Sequence, residues 1–498
     1  MSAAPPFRKV IAIGPMPPEK AAYALARYSR SPDSIEESIR WVYQRSSEKF
    51  WEQYYFKYGH ASIADLGHVI ICFENISELA AIDLEDEPLW DGQAKSTRYQ
   101  DFSKLGFYVP PEAAPGPHEA LYRETVEGLI NTYQEQHREV RAHLMEKHPR
   151  PPGMKEEEYR RTVDARAFDV VRYLLPLAVP TNVGEVVSIR TLEKQIGRLL
   201  SSSFSELIEI GRSLAEACSA PPTNPWMELS ATGPLSPVPD TRFSEPVAPT
   251  LARHARKSDY LVRTYPELLQ LANERVRLDS NRPVEPPIEP VDLIPPHPLQ
   301  EELATTLLYR VCRTPYRQLL EVVRGWNEKE QQEVIEVALC HRGDRDDLLR
   351  EFRSGYPLIF DIVMDIGAFR DLHRHRRCQQ VRQSWTTDLG YEVPPLIGDA
   401  GVETGYRQAM EGARRAVEAL GESSGGAYLI PFGFRVRTLF KMDFAEAEYI
   451  SRLRSGVKGH FSYRNIAWRM KEALAAQYPY LASKISATPP DLEEPLTR

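Results

Sequence analysis

Residues 370–384 read R-D-L-H-R-H-R-R-C-Q-Q-V-R-Q-S, five arginines and two histidines in fifteen positions. Fixed positive charge at that density repels itself unless an anion sits among it. Guanidinium forks match phosphate oxygens, so a phosphorylated ligand or a nucleic acid is the natural occupant. The preceding residues 356–369 (Y-P-L-I-F-D-I-V-M-D-I-G-A-F) are mostly apolar. The basic cluster thus begins where a buried element ends, a common place for a ligand site. Read on charge alone, it fits equally a solvated basic face or a structural arginine–carboxylate network.

Composition narrows the partner. A chain of 498 residues suffices for two or three domains with substantial cores, and 42% apolar with 27% charged residues is the balance of a globular protein. A formal net charge of -8 argues against a general nucleic-acid coat, so any nucleotide must be held by a local pocket. The five cysteines (Cys72, Cys218, Cys312, Cys340, Cys378) lie far apart with no C-x-x-C pair. That pattern suits reduced thiols and predicts no metal site. The opening M-S-A-A-P-P-F-R-K-V has no apolar core of signal-peptide length, and no run approaches the ~18 apolar residues of a membrane span. A cytoplasmic location without a membrane partner is expected.

Upstream of the cluster, residues 34–58 read as an amphipathic helix opened by a Ser34-x-x-Glu37 capping box, with Ile35, Ile39, Val42, Phe50 and Tyr54 on one face. Residues 68–73 (H-V-I-I-C-F) have strand length, and helices are expected over 117–147, 155–172 and 183–218. Between 220 and 299 the composition shifts: sixteen of the 41 prolines fall there, around one helical patch near 257–278. This stretch reads as a connector that wraps a surface.

Beyond the connector the pattern returns. Tyr391-Glu392-Val393-Pro394-Pro395 echoes Tyr108-Val109-Pro110-Pro111, and Tyr428-Leu429-Ile430-Pro431 echoes Tyr173-Leu174-Leu175-Pro176. Ser451-Arg452-Leu453-Arg454-Ser455 echoes Gly197-Arg198-Leu199-Leu200-Ser201. The order is the same and the lengths are similar, which predicts two diverged copies of one domain, at 1–219 and 299–498, joined by 220–298.

Arg374-His375-Arg376, seven residues and Ser384 reproduce R-H-R-x7-S, the signature of flavin-dependent thymidylate synthases, and the chain resembles that family. The first copy matches the family's early serine with Ala26-Arg27-Tyr28-Ser29, its flavin segment with Gly59-His60-Ala61-Ser62 and Asp65, and its S-x-R-Y with Ser96-Thr97-Arg98-Tyr99. Where the family has R-H-R, however, this copy has Asp86-Glu87-Pro88. The second copy keeps Arg374, His375, Arg376, Ser384 and the last-helix Arg454, but continues Trp385-Thr386-Thr387. Arg172 and Arg190 match substrate- and flavin-contacting arginines, and Ala427 and Ala445 stand opposite them. The losses are complementary.

The resemblance implies an α/β (α+β) fold with a mixed, largely antiparallel sheet and long helices in two tandem copies. It implies FAD as cofactor, with NADPH and methylenetetrahydrofolate as co-substrates and dUMP or a related uridine nucleotide as substrate. Family sites draw on several subunits of a homotetramer, so the two halves would form a pseudo-dimer and two chains a pseudo-tetrameric homodimer. Arg98 and Arg454 would then be catalytic. Ser29, His60, Ser62, Asp65, Arg190, Arg374, His375 and Arg376 would hold the flavin. Ser96, Thr97, Arg98, Arg172, Arg374 and Arg454 would hold the nucleotide. Two departures bear on the substrate: Ala94 replaces a family glutamate, and Asp371 a nucleotide-contacting glutamine. A flavin-dependent methyltransferase and an inactive flavin- or nucleotide-binding scaffold both remain open on the sequence; RNA binding through the basic cluster is disfavoured by the acidic balance.

Overall fold

The computed structural model describes residues 15–31, 34–57, 61–98, 101–102, 105–114, 116–223, 245–276, 289–343, 346–421, 425–492, 494 and 496. His60 and Tyr99 lie outside the described residues.

The first half builds a three-stranded antiparallel sheet from β1 (His68–Ser77), β2 (Trp90–Ala94) and β3 (Pro180–Ser188), in the order β1-β3-β2. The second half repeats it with β5 (Leu358–Asp365), β6 (Gln379–Arg382) and β7 (Arg435–Met442), in the order β5-β7-β6. An extra strand, β4 (Val291–Ile294), pairs with β5. The end of the expected connector is thus part of the second sheet.

Each half turns from strand to helix at the same two points with the same capping chemistry. Ser77 and Asp365 accept from the backbone N–H of Ala80 and Ala368 as helices Glu78–Leu84 and Ile366–Leu372 begin. Ser188 and Asp443 do the same for helices Ile189–Leu200 and Phe444–Arg454. A side-chain oxygen at the N-cap satisfies one of the free N–H groups of the first turn.

Two expectations are corrected. The helix over 183–218 is instead β3 followed by helices Ile189–Leu200 and Ser205–Cys218. The alternation of buried and open positions in V-G-E-V-V-S is a strand period of two, which decides that segment. The helix over 34–58 is two pieces. Its Ser34–Glu37 capping box is present, but Ile35–Tyr43 ends at Gln44, and the chain restarts as Glu48–Phe50 and a π-helical segment Trp51–Lys57. Helices Pro117–Lys147 and Glu156–Val171 form as expected.

The halves meet through the repeated Y-L-L-P and Y-L-I-P segments, which cross with Pro176 opposite Pro431. The backbone bonds are reciprocal. Leu177 donates to Ile430 and Phe432 to Leu175, and likewise Ala178 donates to Tyr428 and Gly433 to Tyr173. This is a local pseudo-twofold axis. Gly433 is required for the close approach: a Cβ there would lie 2.7 Å from the Tyr406 hydroxyl. Around the crossing, Tyr122, Tyr173, Phe360, Tyr406 and Tyr428 of both halves share one buried core.

The two sheets differ on their outer faces. In the second, Ile359, Val381 and Leu439 are buried under helices Leu299–Val311, Tyr316–Arg324 and Glu328–Leu339. In the first, the corresponding face is open, with Ile70 71% and Val186 43% exposed. A β-bulge between Phe73 and Ile76, with Asn75 at φ 59°, shifts the register so that Ile70 takes the place of Ile359.

Candidate functional site

The R-H-R loop is delivered by a short path. Buried β5 runs into the Asp365-capped helix Ile366–Leu372, and residues 373–378 then turn into β6. In the first half, Ser96-Thr97-Arg98 follows β2, and Arg172 follows helix Glu156–Val171. The fold brings these segments together within one chain.

Arg98 is buried. Its Nε donates to Asp169 at 2.6 Å, and its other nitrogens reach the Tyr463 hydroxyl at 3.2 Å and the Lys458 carbonyl at 3.4 Å. Burial works against the charge on Arg98, but the Asp169 carboxylate more than offsets it and keeps the guanidinium protonated. Arg172, 1% exposed, donates to Thr97 at 3.4 Å, the Gly367 carbonyl at 3.4 Å and Asp371 at 3.2 Å. Its Nε is buried without a hydrogen-bond partner among the described residues. Burial alone would raise the Asp371 carboxyl; Arg172 and Arg98 override it and hold it below the usual range. Arg370 completes the seam, donating to Thr97 at 3.1 Å and pairing with fully buried Glu78 at 2.8 Å. Burial still pushes Glu78 up to about 7 against the pull of Arg370.

On the outer side, Arg374 donates to Gln93 at 3.4 Å and makes no ion pair among the described residues, while Arg376 pairs with exposed Asp91. Both partners lie on β2, so the loop borders the open face of the first sheet. His375 behaves differently from its neighbours. It is buried, and both ring nitrogens are used: Nδ1 faces Glu446 at 3.1 Å, and Nε2 accepts from Arg454 at 2.8 Å. Burial, helped by Arg454, pushes it below the ordinary histidine value. In this arrangement His375 holds Arg454 in place, with both ring nitrogens engaged. Arg454 in turn lies over the Tyr463 ring, 5.7 Å from its centroid.

His460 caps helix Phe461–Gln477. Its Nε2 donates to the Asp169 carbonyl at 2.8 Å, and its Nδ1 accepts from Ser462. Burial, with the adjacent Arg172, pushes it down to about 3, so it is neutral at pH 7.

The remaining expected residues are dispersed. Ser96 accepts from the Arg98 backbone N–H at 3.2 Å. Ser29 donates to the Ala26 carbonyl, Ser62 is exposed, and Asp65 pairs with Arg190 at 2.9 Å. Arg190, His375 and Arg376 line one cleft of about 840 Å³ with Tyr55 and Phe56 on its wall. Ser29, Ser62 and Asp65 do not line it. A second groove of about 770 Å³, between helices Pro117–Lys147 and Glu403–Leu420, contains none of the R-H-R residues.

Sequence reasoning missed the carboxylates and the phenol that organise the arginines: Glu78, Asp169, Glu446 and Tyr463. Asp169 was within reach, since it stands three residues before Arg172 at the end of one helix. The others are distant in sequence and carry no local signal.

At the pseudo-symmetric position the charges are rearranged. Asp83 and Glu87 both pair with Arg198, and Asp86 with Arg350. Burial works against ionisation of Asp86, yet Arg350 and His373 hold it down to about 2. Arg382 stacks on Trp385, 3.8 Å from the ring centroid, where the composite site has Thr97. The place of Arg172 is taken by buried Ala427. The acidic loop has found arginines within the protein.

Comparison with known proteins agrees with the duplicated layout. The profile of the thymidylate synthase complementing protein family, Thy1, matches residues 13–216 and again 353–480. A UPF0159 protein of Chlamydia muridarum is 27% identical over 441 residues, covering 86% of this chain and 79% of its own. A UPF0159 protein of Thermoplasma acidophilum is 25% identical over 504 residues, covering 93% of each. The crystal structure of a flavin-dependent thymidylate synthase from Helicobacter pylori, complexed with FAD and dUMP, is 15% identical, covering 41% of this chain and 89% of its own with a TM-score of 0.26. With both halves matched by one profile, the chain belongs to the Thy1 family of flavin-dependent thymidylate synthases.

Proposed function

We propose that the chain transfers a one-carbon unit from methylenetetrahydrofolate to carbon 5 of dUMP or a related uridine nucleotide, with FAD as cofactor and NADPH as reductant, at a site shared by its two halves. The observation that carries this reading is the seam between Arg98, Thr97 and Arg172 of the first half and Arg370, Asp371, Arg454 and Tyr463 of the second.

The donor set fits a flavin diphosphate. Arg374 has no carboxylate partner among the described residues, and the partner of Arg376 is 81% exposed and free to yield. An anion at these two gains charge-assisted hydrogen bonds at little cost to the fold. The adjoining cleft lies within the ~300–1,000 Å³ range of small-molecule sites and offers aromatic walls. When bound, reduced flavin would supply the hydride. The protein's own contribution is positive charge fixed in a water-poor seam. Arg172, with one buried N–H that has no hydrogen-bond partner among the described residues, and Arg454, positioned by His375, are the groups to hold the nucleotide and polarise its ring. Ser96, whose Oγ accepts from the Arg98 backbone N–H, is assigned to nucleotide binding and not to covalent attack.

One observation favours a second reading. Arg98 and Arg172 are buried and already neutralised by Asp169 and Asp371. A phosphate must displace a carboxylate to reach them, as a scaffold that only keeps the fold would not require. The absorbance spectrum of the purified chain, followed by tritium release from carbon-5-labelled dUMP, separates the two. Flavin bands with release support the enzyme. A colourless protein that stays inactive after reconstitution with FAD supports the scaffold.

A further inference from the structure

Away from the R-H-R loop, the structure gathers a thiol, an imidazole and a carboxylate that the sequence keeps apart. Glu267 lies on helix Asp259–Arg275, while Cys340 and His341 follow directly on helix Glu328–Leu339. Their ligand-type atoms all lie within 4.8 Å of one another. His341 Nε2 stands 2.7 Å from one Glu267 oxygen, and the Cys340 thiol donates to the other at 3.7 Å.

We propose that Glu267, Cys340 and His341 form a binding site for a thiophilic divalent cation of the zinc type, with the fourth position left to water. Tetrahedral zinc, with bonds of ~2.0–2.3 Å, holds its ligand atoms roughly 3.3–3.7 Å apart. The observed 2.7 and 3.7 Å separations bracket that spacing and all the ligand atoms lie within 4.8 Å of one another, so side-chain adjustments of about an ångström suffice. The backbones carrying the ligands are fixed, because Leu268 and Leu271 of one helix share a buried core with Val334 and Ala338 of the other. The ligands themselves are accessible: Cys340 is exposed, and Glu267 and His341 are half-buried.

Thiolate with imidazole selects zinc over magnesium or calcium, which prefer oxygen. The competing charge is Arg263, 3.8 Å from Glu267 but 59% exposed and free to swing away.

His341 also lines the cleft beside the R-H-R loop, and helix Asp259–Arg275 contributes Tyr260, Leu261 and Tyr265 to the same wall. All three ligands fall between the two segments that match the family profile. The bound cation would thus clamp a helix of the proline-rich stretch to the second half, outside both matched segments. The sequence spacing gave no hint of it, because 73 residues separate Glu267 from Cys340.

The test uses the full chain, stripped with a chelator and dialysed against micromolar Zn²⁺, with a parallel Co²⁺ titration. One zinc per chain and a thiolate-to-cobalt charge-transfer band in the near ultraviolet are expected. Cys340→Ser should abolish the band, and His341→Ala should weaken zinc binding at least tenfold (about 1.4 kcal/mol), each with a wild-type circular dichroism spectrum. A wild-type chain that shows no charge-transfer band overturns the proposal, whatever the variants do. So does stoichiometric zinc that survives Cys340→Ser and His341→Ala unchanged.

Discussion

The two halves share their strands, helices and caps, yet they have used that frame in opposite ways. The second half keeps a basic loop and hides its sheet beneath three helices. The first has an acidic loop and leaves the corresponding sheet face open, with the basic loop at its border. Acid and base also meet differently at the two pseudo-symmetric positions. Asp83, Asp86 and Glu87 are each paired with an arginine of the protein, whereas Arg374 has no carboxylate partner among the described residues. The difference teaches that duplication lets one copy of a charged loop be paired off within the structure while the other keeps an arginine that makes no ion pair among the described residues.

The largest effect should come from placing a charge on the two sheet faces. Ile359→Asp buries a carboxylate across the strand from Lys441, whose ammonium already pairs with Glu302, and should cost about 4 kcal/mol or prevent folding. Ile70→Asp, at the matching open position, should stay within about 0.5 kcal/mol in the isolated chain by chemical denaturation. Equal losses would show that the first face is covered too.

Next comes the seam. Arg172→Ala strands Asp371 and should cost about 3–5 kcal/mol. Asp86→Ala at the counter-position removes a half-exposed partner and should cost about 1–2 kcal/mol. Reversal of that order would make the counter-position the structural keystone.

The third test sharpens the comparison through pH. His460 is neutral when folded, with a value near 3 against 6.5 unfolded, so its contribution falls as pH drops below 6.5. Glu78, Asp365 and Glu185, raised to about 7, 6 and 7, act oppositely, since their contribution is lost as pH rises through those values. The variant difference isolates the histidine. The stability gap between wild type and His460→Asn should narrow by about 2 kcal/mol from pH 6.5 to 5. A constant gap would mean that His460 is not held neutral.

The smallest effect on the fold should be the most telling for function. Arg374→Ala should leave stability within about 0.5 kcal/mol, yet lower flavin retention at least tenfold. Wild type should bind one flavin per chain by absorbance. Two per chain would show that the acidic counter-position also functions.

Much of this was legible before the fold was known. The R-H-R loop and its acidic counterpart are aligned by the serines that follow them, Ser384 and Ser96, and the repeated Y-L-[LI]-P segments announce the duplication. What the sequence does not reveal is that these two segments cross each other, because reciprocal pairing between distant copies leaves no local trace. Residues 183–218 were misread because Val183, Val186 and Val187 run into a strongly amphipathic helix, whose period masks the short strand alternation. His375 reads as a cation among cations until Glu446 and Arg454 are seen to occupy both its nitrogens. Charge patterns name the participants in a site; burial decides which of them are free.

The crossing at Pro176 and Pro431 has a consequence for biosynthesis. The four backbone bonds that tie residues 173–178 to residues 428–433 can form only when the later segment has left the ribosome, about 250 residues on, a delay of roughly 13–50 s at common elongation rates. Through that interval Tyr173, Leu174 and Leu175 lack the second half's share of their common core, so nascent chains should depend on chaperones more than tandem arrays of self-sufficient domains do.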